Sequence, residues 1–237
     1  MSDAEIKCIY CLSGLGADHR IFSHLELPGI RLVHLDWLLP QAKTETLDEY
    51  AKRLSAFIDE EEPLMMGVSF GGMMSIEIAK HRKVRGIILI SSVKSYHELP
   101  AWMKFLGKCH AEYLIPKTPL KSIGPLKSLR PIQNYFLGAH APAEIAIANE
   151  FRDNVDPHYL KWSIRQIFNW KNDWCPPTLY HVHGDNDKLF PITNVHPTHI
   201  VPGGGHFMVM SHCREVSRIL QEICNEQCAQ SQKCEAV

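Results

Sequence analysis

Residues 64–72 read Leu-Met-Met-Gly-Val-Ser-Phe-Gly-Gly, and the rest of the chain can be interpreted around them. The apolar start predicts a buried strand, and the apolar pattern of residues 73–79 predicts a helix directly behind it. Gly-x-Ser-x-Gly therefore falls on a tight turn that holds Ser69 away from the backbone. A Cβ at Gly67 or Gly71 would clash where strand and helix cross. The motif alone is weak, because it also arises by chance, so Ser69 needs partners elsewhere in the chain.

The bulk composition describes a globular chain without a strong electrostatic bias. Its 237 residues predict one domain with room for an inserted subdomain, and an apolar fraction of 45% is enough to fill a core. A formal net charge of −1 argues against attraction to nucleic acid or to an anionic membrane. No apolar stretch approaches the roughly 20 residues of a membrane helix. We therefore expect no nucleic-acid partner and no membrane span.

The N-terminal residues and the cysteines predict a cytoplasmic location. Residues 1–5 are polar and acidic, unlike a secretory signal. There are eight cysteines, but Cys8 and Cys11 fall in a predicted buried strand and several others are isolated. Free thiols in a reducing compartment are the better interpretation.

Strand and helix patterns alternate through most of the chain. The predicted strands cover residues 6–12, 31–35, 64–68, 84–91, 178–183 and 198–202. This alternation predicts an α/β fold with a doubly wound, mostly parallel sheet. A helical pattern closes the chain, and we expect the polar residues 225–237 to fray.

Residues 93–174 interrupt this alternation with several prolines and short helical patterns. The best of these helices follows Asp156, an N-cap residue, with Pro157 at the first helical position. We therefore expect a mostly helical cap at 93–174, inserted into a core formed by residues 1–92 and 175–237.

Three side chains suited to nucleophilic catalysis directly follow predicted strands. Reactive groups gather at the carboxyl ends of parallel strands, so Ser69, Asp187 and His206 should meet at one edge. A serine needs a base, and histidine, with an ordinary pKa of about 6.5, suits that role. The imidazole in turn needs a carboxylate to fix its tautomer. Asp185 lies in the same loop as Asp187, and the residues alone leave the choice between them open.

A tetrahedral intermediate also needs backbone N–H donors, which form an oxyanion hole. Phe70, the residue after the predicted nucleophile, supplies one donor. The turn at 13–16 can supply the other, and Leu15 is the best candidate within it. Removing one such donor costs about 3 kcal/mol of transition-state stabilisation.

Four motifs together resemble the α/β-hydrolase family. They read Ser-Gly-Leu-Gly at 13–16, Gly-Val-Ser-Phe-Gly-Gly at 67–72, His-Gly-Asp-Asn-Asp at 183–187 and Gly-Gly-His-Phe at 204–207. The resemblance implies an α/β-hydrolase fold with a cap inserted after the fourth strand. The His-Gly-x-x-Asp spacing of the family selects Asp187 over the other aspartate of the loop.

The chain departs from the family pattern in two ways. Ser13-Gly14 stands where the family commonly has His-Gly, so the support of that turn should differ. The first predicted strand corresponds to the family's third strand, so we expect a smaller sheet, reduced at the N-terminus.

Other interpretations of the candidate residues exist. Ser69 could simply cap the following helix, and His206 could be an ordinary loop histidine. A ligand receptor on the same scaffold would not need the serine, and its function would survive Ser69→Ala. All the catalytic partners are present, which favours an enzyme.

Two patterns suggest a cofactor or a metal and are incomplete. Gly14-x-Gly16 followed by Asp36 resembles a dinucleotide-binding pattern, but His19 occupies its third glycine position. His-Val-His-Gly-Asp-Asn at 181–186 resembles the start of a metal motif, but ends in asparagine where histidine is needed. We expect neither a cofactor nor a metal.

The predicted cap carries a one-sided charge. Between residues 101 and 133 the charged residues are Lys104, Lys108, Lys117, Lys121, Lys127 and Arg130 against Glu112, a balance of 6 − 1 = +5. This face either attracts an anionic substrate or is an ordinary solvated surface.

Aromatic residues of the cap and its neighbourhood can either line an apolar acyl pocket or pack the cap. The candidates are Trp102, Phe105, Tyr135, Phe136 and Phe207.

The sequence thus predicts a serine hydrolase that cleaves a small-molecule ester or thioester through an acyl-enzyme intermediate. Alternatives are a silent ligand-binding protein on the same scaffold, or cleavage of a lactone, a peroxide or a carbon–carbon bond by the same residues. The oligomeric state stays open.

Overall fold

The computed structural model describes residues 6–114 and 128–235, with side chains up to residue 229. Its strands are β1 (Cys8–Leu12), β2 (Arg31–His34), β3 (Leu64–Val68), β4 (Gly86–Ile90), β5 (Leu179–Gly184) and β6 (His199–Val201). They form one sheet in the order β2-β1-β3-β4-β5-β6, and every neighbouring pair is parallel. The predicted parallel sheet is confirmed, and each predicted strand overlaps an observed one.

Helices connect and cover these strands. They are α1 (Leu47–Ser55), α2 (Phe70–Ala79), α3 (Ala101–Lys108), α4 (Arg130–Leu137), α5 (Pro142–Asn154), α6 (Pro157–Asn169), α7 (Met208–Ser211) and α8 (Cys213–Glu235). Short 3₁₀ helices lie at His19–Phe22, Tyr96–Glu98, Ala111–Leu114 and Ile192–Asn194. Within the described residues, no helix is long and apolar enough to cross a membrane.

The sheet is covered on both faces, which explains its unbroken apolar strands. Every residue of β1, β3 and β4 is buried. Alternate residues of a strand point to opposite faces, so Met65 packs with α1 and α2 while Met66 packs with α8. A sheet of this kind is doubly wound, and its central strands β1, β3 and β4 do not show a polar face.

The C-terminal helix is longer than predicted. Residues 225–235 continue α8 instead of fraying. Gln227 is buried there, and its side-chain amide donates a hydrogen bond of 2.8 Å to the hydroxyl of Tyr180 in β5. The expectation of a frayed tail was therefore wrong: the helix continues to Glu235, and Gln227 within it still packs against the sheet.

The insertion between β4 and β5 is helical in its described part and docks onto the core. Asp156 caps α6 by accepting from the amides of His158 and Tyr159. From α6, the Trp162 indole donates to the carbonyl of Glu45 at 2.8 Å. The Trp162 bond joins α6 to the segment between β2 and α1.

The chain reverses its winding direction between β1 and β3. From β1 it moves outward to β2, then returns through α1 to β3 on the other side of β1. Ligands of open α/β sheets bind at such a switch point. The turn at 13–16 follows β1 and Ser69 follows β3, so both lie at this switch point.

Candidate active site

Ser69 occupies a strained turn between β3 and α2. Its backbone has φ 53° and ψ −117°, a region that a residue with a Cβ rarely adopts. A Cβ on Gly67 would lie 2.3 Å from the backbone of Gly71, and one on Gly71 would lie 2.3 Å from the carbonyl oxygen of Leu12. Only glycine fits at these positions, as predicted. Ser69 makes no side-chain capping bond to α2, so the helix-cap interpretation does not hold.

The structure brings Ser69, His206 and Asp187 together in one chain of hydrogen bonds. Ser69 Oγ lies 2.9 Å from His206 Nε2, and His206 Nδ1 lies 2.8 Å from Asp187 Oδ2. The Asp187 side chain is fully buried, and the His206 side chain is 6% exposed. The three residues come from three different strand ends, as the parallel sheet predicts.

The environment of Asp187 keeps it ionised. Burial pushes its pKa upward, but the interaction with His206 and the backbone amide of Phe190 outweighs burial and lowers the pKa. Its Oδ1 accepts from the amides of Leu189 and Phe190, both at 2.9 Å. A carboxylate only accepts, so His206 donates from Nδ1, and its Nε2 is free to accept the Ser69 proton.

Asp185 has a different role in the same loop. It is exposed, and its Oδ1 accepts from the amide of Gly203 at 2.7 Å. The carboxylate that reaches His206 is therefore that of Asp187, and Asp185 ties two loops together.

Two buried histidines support the Asp187 loop, and the sequence reading assigned them no such role. His183 Nε2 lies 2.8 Å from the carbonyl oxygen of Phe190, so this nitrogen donates. His181 Nε2 lies 3.0 Å from the carbonyl oxygen of Ser92 and 3.2 Å from His183 Nδ1, so it donates and its proton is shared between these two acceptors. Burial, with the neighbouring His183, lowers the pKa of His181 to about 3, and burial also lowers the pKa of His183. Both imidazoles are therefore neutral at neutral pH.

The turn at 13–16 lies beside Ser69. A Cβ on Gly14 would be 3.6 Å from Ser69 Cβ, an ordinary contact. Within residues 6–114 and 128–235, neither the Leu15 amide nor the Phe70 amide donates to a protein acceptor. Both predicted oxyanion donors are thus free on the protein side.

Trp37 connects the two halves of this predicted oxyanion hole. Its indole donates to Ser13 Oγ at 2.9 Å, and Ser13 Oγ donates to the carbonyl oxygen of Ala17 at 2.7 Å. The Trp37 ring also stacks on Phe70, with centroids 5.1 Å apart and planes at 17°. The departure from His-Gly at 13–14 is therefore accompanied by a Ser13–Trp37 hydrogen bond that supports the turn. Trp37 lies shortly after the end of β2 at His34, and this position is the signal that could have identified it.

A cavity of about 360 Å³ lies above Ser69 and His206. Its walls come from the turn at 13–16, from the end of β3 and from the inserted helices. The inserted helices contribute Met103, Leu137, Ala148, Phe151, Arg152, Val155, Leu160, Ile164, Ile167 and Phe168. The cavity is largely apolar and large enough for a small-molecule substrate.

The predicted substrate-binding aromatics are divided by the structure. Phe207 lines the cavity and is buried. Trp102, Phe105, Tyr135 and Phe136 are 44–64% exposed and are not among the lining residues. Their helices instead turn other residues, such as Met103, toward the cavity. The four exposed aromatics therefore do not form an acyl pocket in this structure.

The structure describes only part of the predicted basic face. Lys117, Lys121 and Lys127 lie outside the described residues. Lys104 donates to the carbonyl of His97, and Arg130 pairs with Asp153. The described basic residues of this face, Lys104, Lys108 and Arg130, do not line the cavity.

The described part of the chain contains no group of three or more His, Cys, Asp or Glu residues arranged to hold a metal ion. The His181–His183 pair contacts protein atoms instead.

Comparison with known proteins gives a family and a set of structural neighbours. The profile of the Alpha/beta hydrolase family matches residues 9–219. No curated protein sequence matches the chain. An esterase from Thermogutta terrifontis superposes with TM-score 0.69 at 15% identity, covering 94% of this chain and 91% of the esterase.

Two further solved structures are similar. A carboxylesterase from Nitrososphaera gargenis has TM-score 0.69 and 14% identity, covering 97% of this chain and 94% of that one. A meta-cleavage product hydrolase from Pseudomonas fluorescens IP01 has TM-score 0.66 and 14% identity, covering 94% and 92%. At these identities the likeness shows the fold alone.

Proposed function

Since the chain belongs to the alpha/beta hydrolase family, we propose that it is a serine hydrolase that cleaves a small-molecule ester or thioester through an acyl-enzyme intermediate. The observation that carries the proposal is the hydrogen-bond chain from Ser69 through His206 to Asp187, with links of 2.9 and 2.8 Å. Nucleophile, base and orienting acid are within reach of each other without any movement.

In the first step, Ser69 Oγ attacks the substrate carbonyl carbon while His206 Nε2 takes the hydroxyl proton. The imidazolium that forms is stabilised by Asp187, which stays ionised. Leu15 and Phe70 amides would hold the negatively charged carbonyl oxygen of the tetrahedral intermediate. These two donors have no protein acceptor among the described residues, which supports this role.

In the second step, the intermediate collapses and His206 gives its proton to the leaving alcohol or thiol. Water then attacks the acyl-enzyme, with His206 acting as base again, and the acid leaves. The apolar walls of the cavity would hold the acyl part and limit the access of water.

Labelling with a fluorophosphonate probe tests this function directly. We expect the wild-type protein to be labelled at Ser69 and the Ser69→Ala variant not to be labelled. Ser75→Ala is a matched control on the same helix, since the Ser75 hydroxyl donates to the Gly71 carbonyl and does not line the cavity. Its labelling should equal that of the wild type.

A panel of esters and thioesters of graded acyl length completes the test. Turnover that depends on Ser69 supports the proposal. Absence of both labelling and turnover, with ligand binding that persists in Ser69→Ala, would favour a ligand-binding protein. Activity only in the hydrolysis of a lactone, in peroxide chemistry or in the cleavage of a carbon–carbon bond would assign a different reaction to the same residues.

We also propose that the protein acts in the cytoplasm. The cysteines with described side chains are all free thiols, as expected in a reducing compartment. A fractionation experiment with the labelled protein tests the location.

A further inference from the structure

Arg152 places a positive charge on the wall of an otherwise apolar cavity. It belongs to α5 and lines the same cavity as Ser69 and His206. Among the lining residues that the structure describes, it alone has a side chain that is charged at every physiological pH. A cation beside apolar side chains is stabilised by a nearby negative charge.

Within the described residues, Arg152 has no carboxylate partner. Its Nη2 donates to the amide oxygens of Asn134 and Asn149, the second at 2.8 Å. Its Nε is buried and donates to no protein acceptor. The neighbouring cations differ, because Arg130 pairs with Asp153 and Arg20 pairs with Asp18 and Glu150.

The environment of Arg152 disfavours its charge. Burial lowers its pKa, the nearby charge of Arg130 lowers it further, and Asp153 offsets this only in part. A guanidinium nevertheless stays protonated at neutral pH. A half-buried charge without a counter-ion is unfavourable, and a ligand anion would reduce that penalty.

We propose that the cavity takes an ester that carries a free carboxylate, and that Arg152 binds this carboxylate. The inference rests on the proposed ester hydrolysis at Ser69 and names its substrate class. A guanidinium matches a carboxylate with paired N–H donors. One positive charge also balances the single charge of a carboxylate, whereas a phosphate monoester would leave one charge uncompensated in an apolar cavity.

Matched pairs of esters test the proposal. Monoethyl glutarate is compared with the ethyl ester in which an isopropyl group replaces its free carboxylate. A second pair carries the carboxylate on the alcohol side of the ester. For at least one pair, we expect the wild type to have a kcat/KM about ten- to a hundredfold higher for the charged ester, the range of a charge-assisted hydrogen bond. Equal values in both pairs would overturn the proposal.

Variants separate recognition from a structural role. If Arg152 only joins α5 to α4 through Asn134, then Arg152→Gln lowers turnover of both esters equally and lowers the melting temperature. If it binds substrate, Arg152→Gln loses the charged-ester preference and keeps turnover of the neutral ester. Arg152→Lys retains the charge and should keep part of the preference.

Arg130→Gln is the matched control, since it removes a neighbouring charge that does not line the cavity. It should leave the preference within about twofold of the wild type. A preference lost equally in Arg130→Gln and Arg152→Gln would assign it to the general field of the surface and overturn the proposal.

Binding to the Ser69→Ala protein keeps this proposal separate from the proposed hydrolysis. Calorimetry with the same ester pairs should give tighter binding of the charged ester, and Arg152→Gln in the Ser69→Ala background should abolish the difference. Tighter binding without any wild-type turnover would refute hydrolysis and leave anion recognition standing. Turnover of the neutral ester without any charged-ester preference would support hydrolysis and overturn the proposed recognition of a carboxylate by Arg152.

Discussion

The floor and the roof of the cavity are built in different ways. The floor is the carboxyl edge of β1, β3, β5 and β6, where backbone approaches backbone and glycine is required at Gly67 and Gly71. The roof is the set of helices α3 to α6, which present mainly aliphatic side chains such as Met103 and Ile164. A floor of this kind tolerates almost no change, whereas an apolar roof can be repacked. We infer that the floor fixes the chemistry and the roof selects the substrate.

The largest effect is expected from Asp187→Asn in the floor. An amide at this position can donate to His206 Nδ1 and so stabilise the wrong tautomer, which leaves Nε2 unable to accept the Ser69 proton. We expect kcat for the best ester to fall about 10⁴-fold, with little change in KM. Steady-state kinetics on the ester panel measure this.

Asp185→Asn is the control for that variant. Asp185 lies two residues away and bonds to the Gly203 amide, not to His206. Its kcat should stay within about threefold of the wild type. A comparable loss in both variants would mean that the loop conformation, not the carboxylate, sustains the activity.

The floor could be predicted from the sequence because its signals are local. Gly-x-Ser-x-Gly marks the turn at Ser69 whatever lies elsewhere in the chain, and the parallel sheet collects the strand ends that carry Asp187 and His206. Trp37 and His183 were missed because their partners, a hydroxyl and a carbonyl on other loops, cannot be read from spacing.

The roof could not be predicted to the same depth. Helical periodicity indicated helices at 93–174, but the side that faces the cavity depends on how the helices dock. Phe105 and Met103 lie two residues apart on α3, yet Phe105 is 64% exposed and Met103 is 6% exposed. Arg152 gave no signal at all, since an arginine on a helix is usually solvated.

The two histidines beneath the floor predict a specific acid sensitivity. The folded-state pKa of His181, about 3, lies below its ordinary value of 6.5. Below pH 6.5 the unfolded chain therefore binds a proton that the folded protein does not. The contribution of neutral His181 to the free energy of unfolding is fully present above pH 6.5 and is lost as pH falls toward 3. The expected slope from His181 alone is up to about 1.4 kcal/mol per pH unit.

Urea unfolding at several pH values measures this slope. His181→Gln should be less stable at neutral pH. The slope of its free energy of unfolding against pH should fall by up to about 1.4 kcal/mol per pH unit, the value for one proton. His97→Gln, at an exposed histidine, should keep the wild-type slope. An unchanged slope in His181→Gln would show that the buried pair does not titrate as described.

A smaller effect is expected at the support of the oxyanion turn. Trp37→Phe retains a ring against Phe70 but loses the bond to Ser13 Oγ. We expect kcat to fall about tenfold, less than the loss of a whole oxyanion donor, because the Leu15 amide is misplaced but not removed. KM should change little.

A double-mutant cycle identifies the path of this effect. Ser13→Ala removes the same hydrogen bond and also the one to the Ala17 carbonyl, so it should lower kcat at least as much as Trp37→Phe. The double variant should be no worse than Ser13→Ala alone, because that variant has already lost the Trp37 bond. Additive losses would mean that Trp37 and Ser13 act independently.

The smallest effect is expected in the roof, and it concerns selectivity. Ile164 lines the cavity, so Ile164→Ala should make room for a longer acyl chain. The ratio of kcat/KM for longer over shorter esters should rise about fourfold per added methylene, which corresponds to the burial of one CH₂ group. Phe105→Ala truncates a larger side chain of the same helical roof, but an exposed one that does not line the cavity. Its ratio should therefore stay within about twofold of the wild type. An equal shift of acyl-length preference in Phe105→Ala and Ile164→Ala would mean that the substrate binds along the outer surface of the helices. The cavity-facing side of the roof would then not be the surface that selects the substrate.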